Sequence, residues 1–250
     1  MLPGDGLPAR RPPSDFYELI SAVSHELRQP LSSAGGYAEM MIGHWDQFAD
    51  AEKLRMLEQI RHDAVRAARI MDDLVEMSRL ESGRMPLHHE ATDLSAVVDR
   101  AVRNVRTSYP DLAPSLQFEA TLPAVHADAL KLEQVLTNVL DNACKYASPG
   151  SVVVSARSTD AGGAPMVEVA VSDRGQGIAP ADLARVTEKF FRGAGRSGPG
   201  MGLGLWISKG IVEAHGGVLV ARSDQRGVTV TFTVPICKRA SGPAGKLAGL

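Results

Sequence analysis

The 250-residue sequence has few cysteines and no long apolar run, and each shortage excludes a class of protein. The two cysteines, Cys144 and Cys237, stand in unrelated contexts and form neither a disulfide framework nor a metal-ligand spacing. A reducing compartment is the simpler interpretation. No segment approaches the roughly 20 consecutive apolar residues that a membrane-spanning helix needs. We therefore predict a chain with no membrane span of its own.

The charge balance is also nearly even, with a formal net charge of -2. This balance gives no electrostatic reason to expect nucleic acid or an acidic membrane as a partner. Near the N-terminus, Arg10 and Arg11 are followed by Pro12 and Pro13, where a secretory signal would need apolar residues. We therefore interpret residues 1–13 as a disordered lead-in and predict a cytoplasmic protein with no nucleic-acid partner.

The first 84 residues contain two stretches in which apolar residues recur at alternating steps of three and four. They comprise Phe16, Ile20, Val23, Leu27, Pro30, Ala34, Tyr37 and Met41, and then Leu57, Ile60, Ala64, Ala67, Met71 and Leu74. This alternation is typical of helices that pack along a bundle seam. The short segment 44–51 predicts a helical hairpin, with a kink at Pro30 and an end at Ser82 and Gly83. Two hairpins would bury their seams as a dimeric four-helix bundle.

After the hairpin the pattern changes to mixed helices and strands. Helices are predicted from Asp93, a candidate N-cap, to Val105 and over residues 128–147. Strands are predicted over residues 116–123, 151–157, 166–173 and 227–235. We therefore predict an α+β fold. It comprises the hairpin over residues 14–84, a two-layer α/β sandwich over residues 85–237 and a mobile tail over residues 238–250.

His25, in the segment SHELRQPL, is a candidate nucleophile. In the heptad register it falls at position f, which points away from the seam into solvent, so its imidazole is free to react. The neighbouring Glu26 can accept the ring proton that would otherwise weaken the attacking nitrogen. A solvated His–Glu pair on a helix surface is the simpler alternative for this local pattern.

The predicted helix NVLDNACKY carries Asn138, Asn142 and Lys145 along one polar stripe, while its apolar residues can face the sheet. Amide oxygens suit a hydrated Mg²⁺ ion that bridges phosphates, so the two asparagines are candidate metal ligands. A solvated asparagine face is the alternative, although two asparagines inside a helix carry a propensity cost.

Asp173 ends a predicted strand and opens into Gly175 and Gly177. These glycines would let the backbone approach a ligand closely. A carboxylate acceptor fits the exocyclic amine of adenine and would repel the oxo group of guanine. A plain Asp-Gly turn is the alternative interpretation of this stretch.

A third stretch, GPGMGLGL, places Gly200, Gly202 and Gly204 before or at the start of an apolar helix. The exposed N–H groups and the dipole of such a helix favour phosphate. The preceding residues 178–199 are interpreted as a mobile lid. Its candidate residues are Lys189, Arg192 and Arg196 near the phosphates, and Phe190 and Phe191 as an apolar latch.

In this order, SHELRQPL, NVLDNACKY, DRGQGI, EKFFRG and GMGLGL resemble five motifs of the histidine kinase family. These motifs are its H box, N box, Asp-x-Gly-x-Gly stretch, aromatic lid and Gly-x-Gly-x-Gly stretch. Each is weak alone, but their order, spacing and hairpin context are specific over residues 14–235. The resemblance implies a dimerisation and phosphoacceptor hairpin. An ATP-binding sandwich of the type shared with gyrase, the Hsp90 chaperone and MutL would follow it.

The resemblance further implies that His25 takes the γ-phosphoryl group of ATP, with Glu26 as its base, and passes it to an aspartate of a response regulator. Asn138 and Asn142 would hold Mg²⁺. The implied nucleotide-binding residues are Asn138, Asn142, Lys145, Tyr146, Asp173, Gly175, Gly177, Ile178, Lys189, Phe190, Arg192, Gly200, Gly202, Leu203, Gly204 and Leu205.

Two features depart from the family pattern. Gln29 stands where the family more often has Thr or Asn, the residue linked to dephosphorylation of the partner, so we predict weak phosphatase activity. No sensor domain or membrane span precedes the hairpin, so we expect either a removed sensor domain or a signal from a separate chain. Two rival functions are a non-catalytic scaffold that binds a regulator, and an ATPase or protein-serine kinase on the same ATP-binding fold.

Overall fold

The computed structural model describes residues 14–146, 148, 150–161, 163–193, 200–224 and 226–237. The predicted lead-in, the predicted tail and the lid residue Arg196 lie outside these residues. The chain divides into two compact units. The first comprises Met1–Val75 with Ser197–Met201, and the second comprises Glu76–Arg196 with Gly202–Leu250. No helix in the described part of the chain is long and apolar enough to cross a membrane.

The first unit contains the predicted helical hairpin. Helix α1 spans Ser14–His44, a 3-10 turn spans Trp45–Gln47, and helix α2 spans Asp50–Glu81. Helix α1 continues through Pro30, which is buried. At the start of α2 the backbone N–H of Ala49 donates to Glu52 Oε2 at 2.9 Å, as in one half of a capping box. At the end of α2 the N–H of Gly83 donates to the Leu80 carbonyl at 3.1 Å, a glycine C-cap.

The last turns of α2 belong to the second unit. Glu76 is buried, and its Oε1 accepts from Lys131 Nζ and Arg79 Nη1, both at 2.8 Å. Leu80 covers Gly210, where an added Cβ would lie 2.6 Å from Leu80 Cδ2. Within the second unit, the ion pair of Glu76 thus attaches the end of α2 to Lys131, and the apolar contact of Leu80 attaches it to Gly210.

The second unit is an α/β sandwich. Its helices are α3 (Leu94–Arg106), α4 (Ala129–Tyr146), the short α5 (Pro180–Leu183) and α6 (Gly204–Ala214). Its strands are β1 (Glu90–Thr92), β2 (Ser115–Phe118), β3 (Val125–Ala127), β4 (Val153–Ala161), β5 (Ala164–Ser172), β6 (Leu219–Asp224) and β7 (Gly227–Pro235). The main sheet has the order β2-β4-β5-β7-β6, with β2 parallel to β4 and every other pair antiparallel. Strands β1 and β3 form a separate antiparallel pair.

Helices α3, α4 and α6 pack side by side, and α4 and α6 contact the sheet. Leu132, Leu136 and Leu140 recur at steps of four along α4 and are fully buried, as is Phe232 of β7. Asp93 caps α3 as predicted, because its carboxylate accepts from the Ser95 N–H at 2.9 Å. The predicted fold class, a helical hairpin followed by an α/β layer, is therefore confirmed.

The strand predictions were incomplete. Strands β1 and β3 have three residues each, too few to show a period of two. Strand β6 ends in the polar residues Arg222, Ser223 and Asp224, so the alternation of its more and less exposed residues does not show as an alternation of polar and apolar residues. Strand β2 ends at Phe118 instead of continuing to Pro123 as predicted.

Candidate functional site

His25 lies on α1 with its side chain exposed to solvent, as the heptad register predicts. Glu26 and Gln29 follow on the same helix. The guanidinium of Arg66, on α2, donates from Nη2 to Glu26 Oε2 at 3.1 Å and to Gln29 Oε1 at 3.4 Å. The side chain of Glu26 is 13% exposed and that of Arg66 is 23% exposed. The hairpin thus exposes the imidazole of His25 to solvent, next to the partly buried ion pair of Glu26 and Arg66.

Helix α4, which carries both candidate metal ligands, is fixed at its first turn. The Asp128 carboxylate accepts from the N–H groups of Leu130 and Lys131 at 3.0 and 3.1 Å, so Asp128 caps the helix. The backbone N–H of Asp128 in turn donates to Nε2 of the buried His215 at 3.0 Å, while Nδ1 of that ring donates to the Ile211 carbonyl at 2.8 Å. Because burial lowers the pKa of His215, the neutral ring that this pattern needs is favoured.

Asn138 and Asn142 are both half-buried and lie one turn apart on α4. Asn138 Nδ2 donates to the Gly204 carbonyl at 3.3 Å and approaches Ser208 Oγ at 3.5 Å. No hydrogen bond joins the Asn142 amide to any residue that the structure describes. Lys145, one turn later, pairs with Asp141 at 2.7 Å. The amide of Asn138 thus fixes α4 against α6, whereas that of Asn142 makes no such bond within the described part of the chain.

The environment of Cys144, beside the candidate metal ligands, favours its neutral thiol. Burial raises the pKa of its thiol to about 11, and the Asp141 carboxylate adds to the rise. A thiol with such a pKa stays protonated at neutral pH, and the thiol is a poor nucleophile.

Asp173 stands where β5 ends. Its N–H donates to the Val228 carbonyl at 2.9 Å, and its Oδ1 accepts from the Val228 N–H at 3.4 Å. The start of β7 therefore fixes the loop over residues 173–179, here called the Asp173 loop. Gly175 passes so close to the carbonyl of Tyr146 that a Cβ at this position would collide with it. The absence of a side chain at Gly175 therefore lets the Asp173 loop pack against the end of α4.

A cavity of about 540 Å³ opens where the end of α4 meets this loop. It is lined by Lys145, Tyr146, Ser148, Arg174, Gly175, Gln176 and Arg226. Three of these residues, Lys145, Arg174 and Arg226, are cationic. A polar cavity lined by three cationic side chains, one of which is paired with Asp141, suits an anionic ligand such as a nucleotide.

The glycine-rich stretch contacts the lid. Gly202 has φ 70°, and a Cβ there would lie 2.6 Å from the Phe191 carbonyl oxygen and 2.9 Å from the Phe190 carbonyl carbon. Lys189 pairs with Glu81 at the end of α2, and its Nζ lies 5.0 Å from the ring centroid of Trp206 on α6. In this structure the lid lysine therefore contacts the end of α2 and the face of α6.

The remaining candidate residues are distributed over both units. Gly204 opens α6, Leu203 is buried just before it, and Leu205 is half-buried. The Ile178 N–H donates to Ser223 Oγ at 2.7 Å, and the exposed Arg192 follows the lid phenylalanines. The others are Gly177, a buried residue with φ 69°, and Gly200, which groups with the first unit.

Sequence reasoning missed several residues that line or support these sites. Ser148, Arg174, Gln176 and Arg226 line the cavity but belong to none of the predicted ligand sets. Arg174 and Gln176 lie inside the DRGQGI motif, so the motif itself was a usable signal. No sequence signal marks Arg226 or Arg66, because each contacts its partners only once the chain has folded.

Two families match this chain. The family described as "His Kinase A (phospho-acceptor) domain" matches residues 17–83. The family described as "Histidine kinase-, DNA gyrase B-, and HSP90-like ATPase" matches residues 127–238. The first match contains α2 and most of α1, and the second contains α4, the Asp173 loop and the glycine-rich stretch.

Similar proteins are found among curated sequences and solved structures. The "Non-motile and phage-resistance protein" of Caulobacter vibrioides is 33% identical over 226 residues, covering 88% of this chain and 27% of that protein. The "Signal transduction histidine-protein kinase/phosphatase MprB" of Mycolicibacterium paratuberculosis is 33% identical over 236 residues, covering 91% of this chain and 44% of that protein. This chain thus spans less than half the length of either relative.

A solved structure shares the fold. The Acinetobacter baumannii histidine kinase AdeS aligns with a TM-score of 0.63 at 24% identity, covering 85% of this chain and 98% of that one.

Proposed function

Because the chain belongs to the histidine kinase family, we propose that it transfers the γ-phosphoryl group of ATP to His25 and then to an aspartate of a response regulator. One observation carries this proposal: an exposed histidine on a phosphoacceptor-type hairpin stands in the same chain as an ATP-binding-type domain. This reaction places the chain in the cytoplasm, where ATP is supplied.

In the first step, one ring nitrogen of His25 attacks the γ-phosphorus, an N–P bond forms, and the bond to the β,γ-bridging oxygen breaks. The proton on the other ring nitrogen passes to Glu26, and ADP leaves. In the second step a regulator carboxylate attacks the phosphorus, an O–P bond replaces the N–P bond, and His25 recovers its proton. Such transfers need little covalent chemistry from the protein, so positioning and charge neutralisation carry the catalysis.

We place the nucleotide in and beside the 540 Å³ cavity of the second unit. Lys145, Arg174 and Arg226 would balance part of the negative charge of the phosphates, and the ring of Tyr146 offers an apolar face to the nucleoside. The carboxylate of Asp173, fixed by its bonds to Val228, would accept a hydrogen bond from the exocyclic amine of adenine.

Asn138 and Asn142 are the proposed ligands of a Mg²⁺ ion. Their amide groups suit this ion, because Mg²⁺ takes hard oxygen ligands and keeps several waters when it bridges phosphates. A bound Mg²⁺ would neutralise charge on the transferring phosphates. Helix α4 contributes rigidity, because the Asp128 cap and the bond from Asn138 to the Gly204 carbonyl fix its position.

The receiving partner we propose is a receiver-domain aspartate, with Gln29 supporting the reverse, dephosphorylating reaction. Gln29 lies one turn after His25 on α1, on the same helix face. Its carboxamide could hold a water against the phospho-aspartate of a docked regulator, as Thr or Asn would. The extra methylene of glutamine leaves more rotamer freedom to lose, so this activity would be weak.

The test is incubation of the full chain with ATP labelled at the γ-phosphate. We expect label on the protein that is lost in acid and retained in alkali, because phosphohistidine is acid-labile whereas phosphoserine survives acid. Acid-stable label would favour a protein-serine kinase. Hydrolysis of ATP without labelling would favour an ATPase, and neither labelling nor hydrolysis would favour a scaffold.

We also propose that the chain acts as a homodimer. Three residues of the predicted heptad seams remain about half exposed in the single chain: Ile20 at 49%, Leu57 at 49% and Met71 at 53%. Leu31, Leu54, Val65 and Val75 on the same hairpin are also exposed. Exposed apolar side chains along two helices form a surface that a second hairpin would bury.

Leu57→Glu is expected to weaken the dimer about a hundredfold or more, because it would bury an unpaired charge in the bundle. Sedimentation velocity over a concentration series measures the change. Leu130→Glu is the matched control, since Leu130 is 75% exposed, belongs to the second unit and is not a residue of the predicted seams. A native chain that stays monomeric at micromolar concentration would contradict the proposal.

A further inference from the structure

Arg66 links two residues of the phosphoacceptor segment that are given different tasks. A single nitrogen, Nη2, lies 3.1 Å from Glu26 Oε2 and 3.4 Å from Gln29 Oε1. The arginine lies 40 residues after Glu26 and on the other helix of the hairpin. The contact therefore exists only when α1 and α2 are correctly paired.

The helix geometry explains how one guanidinium reaches both residues. Glu26 and Gln29 are three residues apart, so they lie about 60° apart around α1, and His25 lies roughly 100° from Glu26 and about 40° from Gln29. Both oxygens that Arg66 contacts are therefore on the side of α1 that faces α2. The exposed imidazole stands at the edge of this face and makes no hydrogen bond to any other residue described by the structure.

We propose that Arg66 is a positioning residue for both reactions at His25, fixing the carboxylate of Glu26 for phosphorylation and the amide of Gln29 for regulator dephosphorylation. This inference rests on the proposed function, since it assumes that phosphoryl chemistry takes place at His25. In this role Arg66 acts on the reaction through Glu26 and Gln29, the two residues it contacts.

The chemistry of arginine suits this task better than that of lysine. Its planar guanidinium carries several N–H donors in a fixed fork, whereas the lysine ammonium is a point charge on a flexible stem. Glutamate and glutamine each have three side-chain torsions to restrict, so an oriented donor that holds both of their oxygens reduces the entropy lost when they act. The same cation also compensates the carboxylate of Glu26, which is only 13% exposed.

Arg66→Gln is expected to lower kcat for His25 labelling by roughly tenfold to a hundredfold, less than the roughly 10²- to 10⁴-fold that a positioned acid–base group itself contributes, because Arg66 acts through Glu26. KM for ATP should stay unchanged, because the cavity proposed for the nucleotide lies in the other unit. Arg66→Lys should recover part of the rate, since it keeps the charge and loses the fork. Arg61→Gln is the matched control, an exposed arginine of the same helix. Circular dichroism melts report whether each variant is folded.

A double-mutant cycle separates positioning from general damage to the hairpin. In the Glu26→Gln background, Arg66→Gln should add little further loss, because the partner through which it acts is already altered. Alone, Arg66→Gln should also slow dephosphorylation of a receiver domain that the native chain has phosphorylated. This effect of Arg66→Gln should vanish in the Gln29→Ala background.

Four results would overturn the inference: an unchanged labelling rate, a faster one, a loss in KM alone, or full additivity in both backgrounds. Each requires a native chain that labels itself on His25. Failure of native labelling would count against the proposed function instead, so the two failures are distinguishable.

Discussion

His25→Gln is expected to abolish labelling of the protein from γ-labelled ATP while leaving ATP affinity nearly unchanged. The loss should be complete, because glutamine has no nucleophilic ring nitrogen. Affinity should be preserved because the residues that line the cavity proposed for the nucleotide lie in the second unit, whereas His25 lies in the first. Labelling of the protein and titration with a fluorescent adenine nucleotide measure the two effects separately.

His44→Gln is the control for this variant. His44 is another exposed histidine of α1, at the last residue of the helix, and should label at the native rate when replaced. If His25→Gln still labelled at the native rate, the phosphoacceptor would be a different residue. If the variant lost ATP affinity as well, the separation of nucleophile and nucleotide site would be wrong.

Asn142→Ala is expected to cut autophosphorylation by about two to three orders of magnitude, on the scale of losing a positioned catalytic group. The fold should survive, since the Asn142 amide makes no hydrogen bond to a described residue. Asn138→Ala should cost similar activity and also about 1 kcal/mol of stability, because it removes the bond to the Gly204 carbonyl.

The comparison of these two asparagines is the test. Initial labelling rates across a Mg²⁺ series, together with melting temperatures, separate loss of a metal ligand from loss of a structural bond. A native rate for Asn142→Ala at low Mg²⁺ would mean that this half-buried amide is merely solvated. Equal destabilisation by both changes would mean that the Asn142 amide has a structural partner.

Long periodic elements were predictable because the interactions that stabilise them are local in sequence or recur at a fixed spacing along the chain. The alternation of three and four residues predicted both hairpin helices, and Asp93 predicted the start of α3, because a side-chain cap acts within three residues. Strands β1 and β3 could not be predicted, because three-residue strands depend on each other for pairing. Strand β6 is formed by pairing with β7, a contact that its own polar sequence does not encode.

In the candidate site, too, local features could be predicted from the sequence and long-range contacts could not. The motif residues could be named from the sequence because each motif is contiguous. The partners of those residues could not, since Arg66 reaches Glu26 across the hairpin, and Lys189 meets Glu81 from a position 108 residues away. Lys189 is predicted to lie near the phosphates, and the structure places it instead beside Glu81 and over Trp206. That role stays a prediction, because it concerns the nucleotide-bound protein.

The end of helix α2 has a practical consequence for dissecting the chain. A nucleotide-binding fragment cut at residue 85, where the sequence places the domain boundary, would lack Glu76 and Leu80. Lys131 would then lose its buried carboxylate partner, and the surface of α6 at Gly210 would be left bare. A fragment that starts before Glu76 retains the ion pair and the leucine that cover these positions, so it is the better choice for isolated binding measurements.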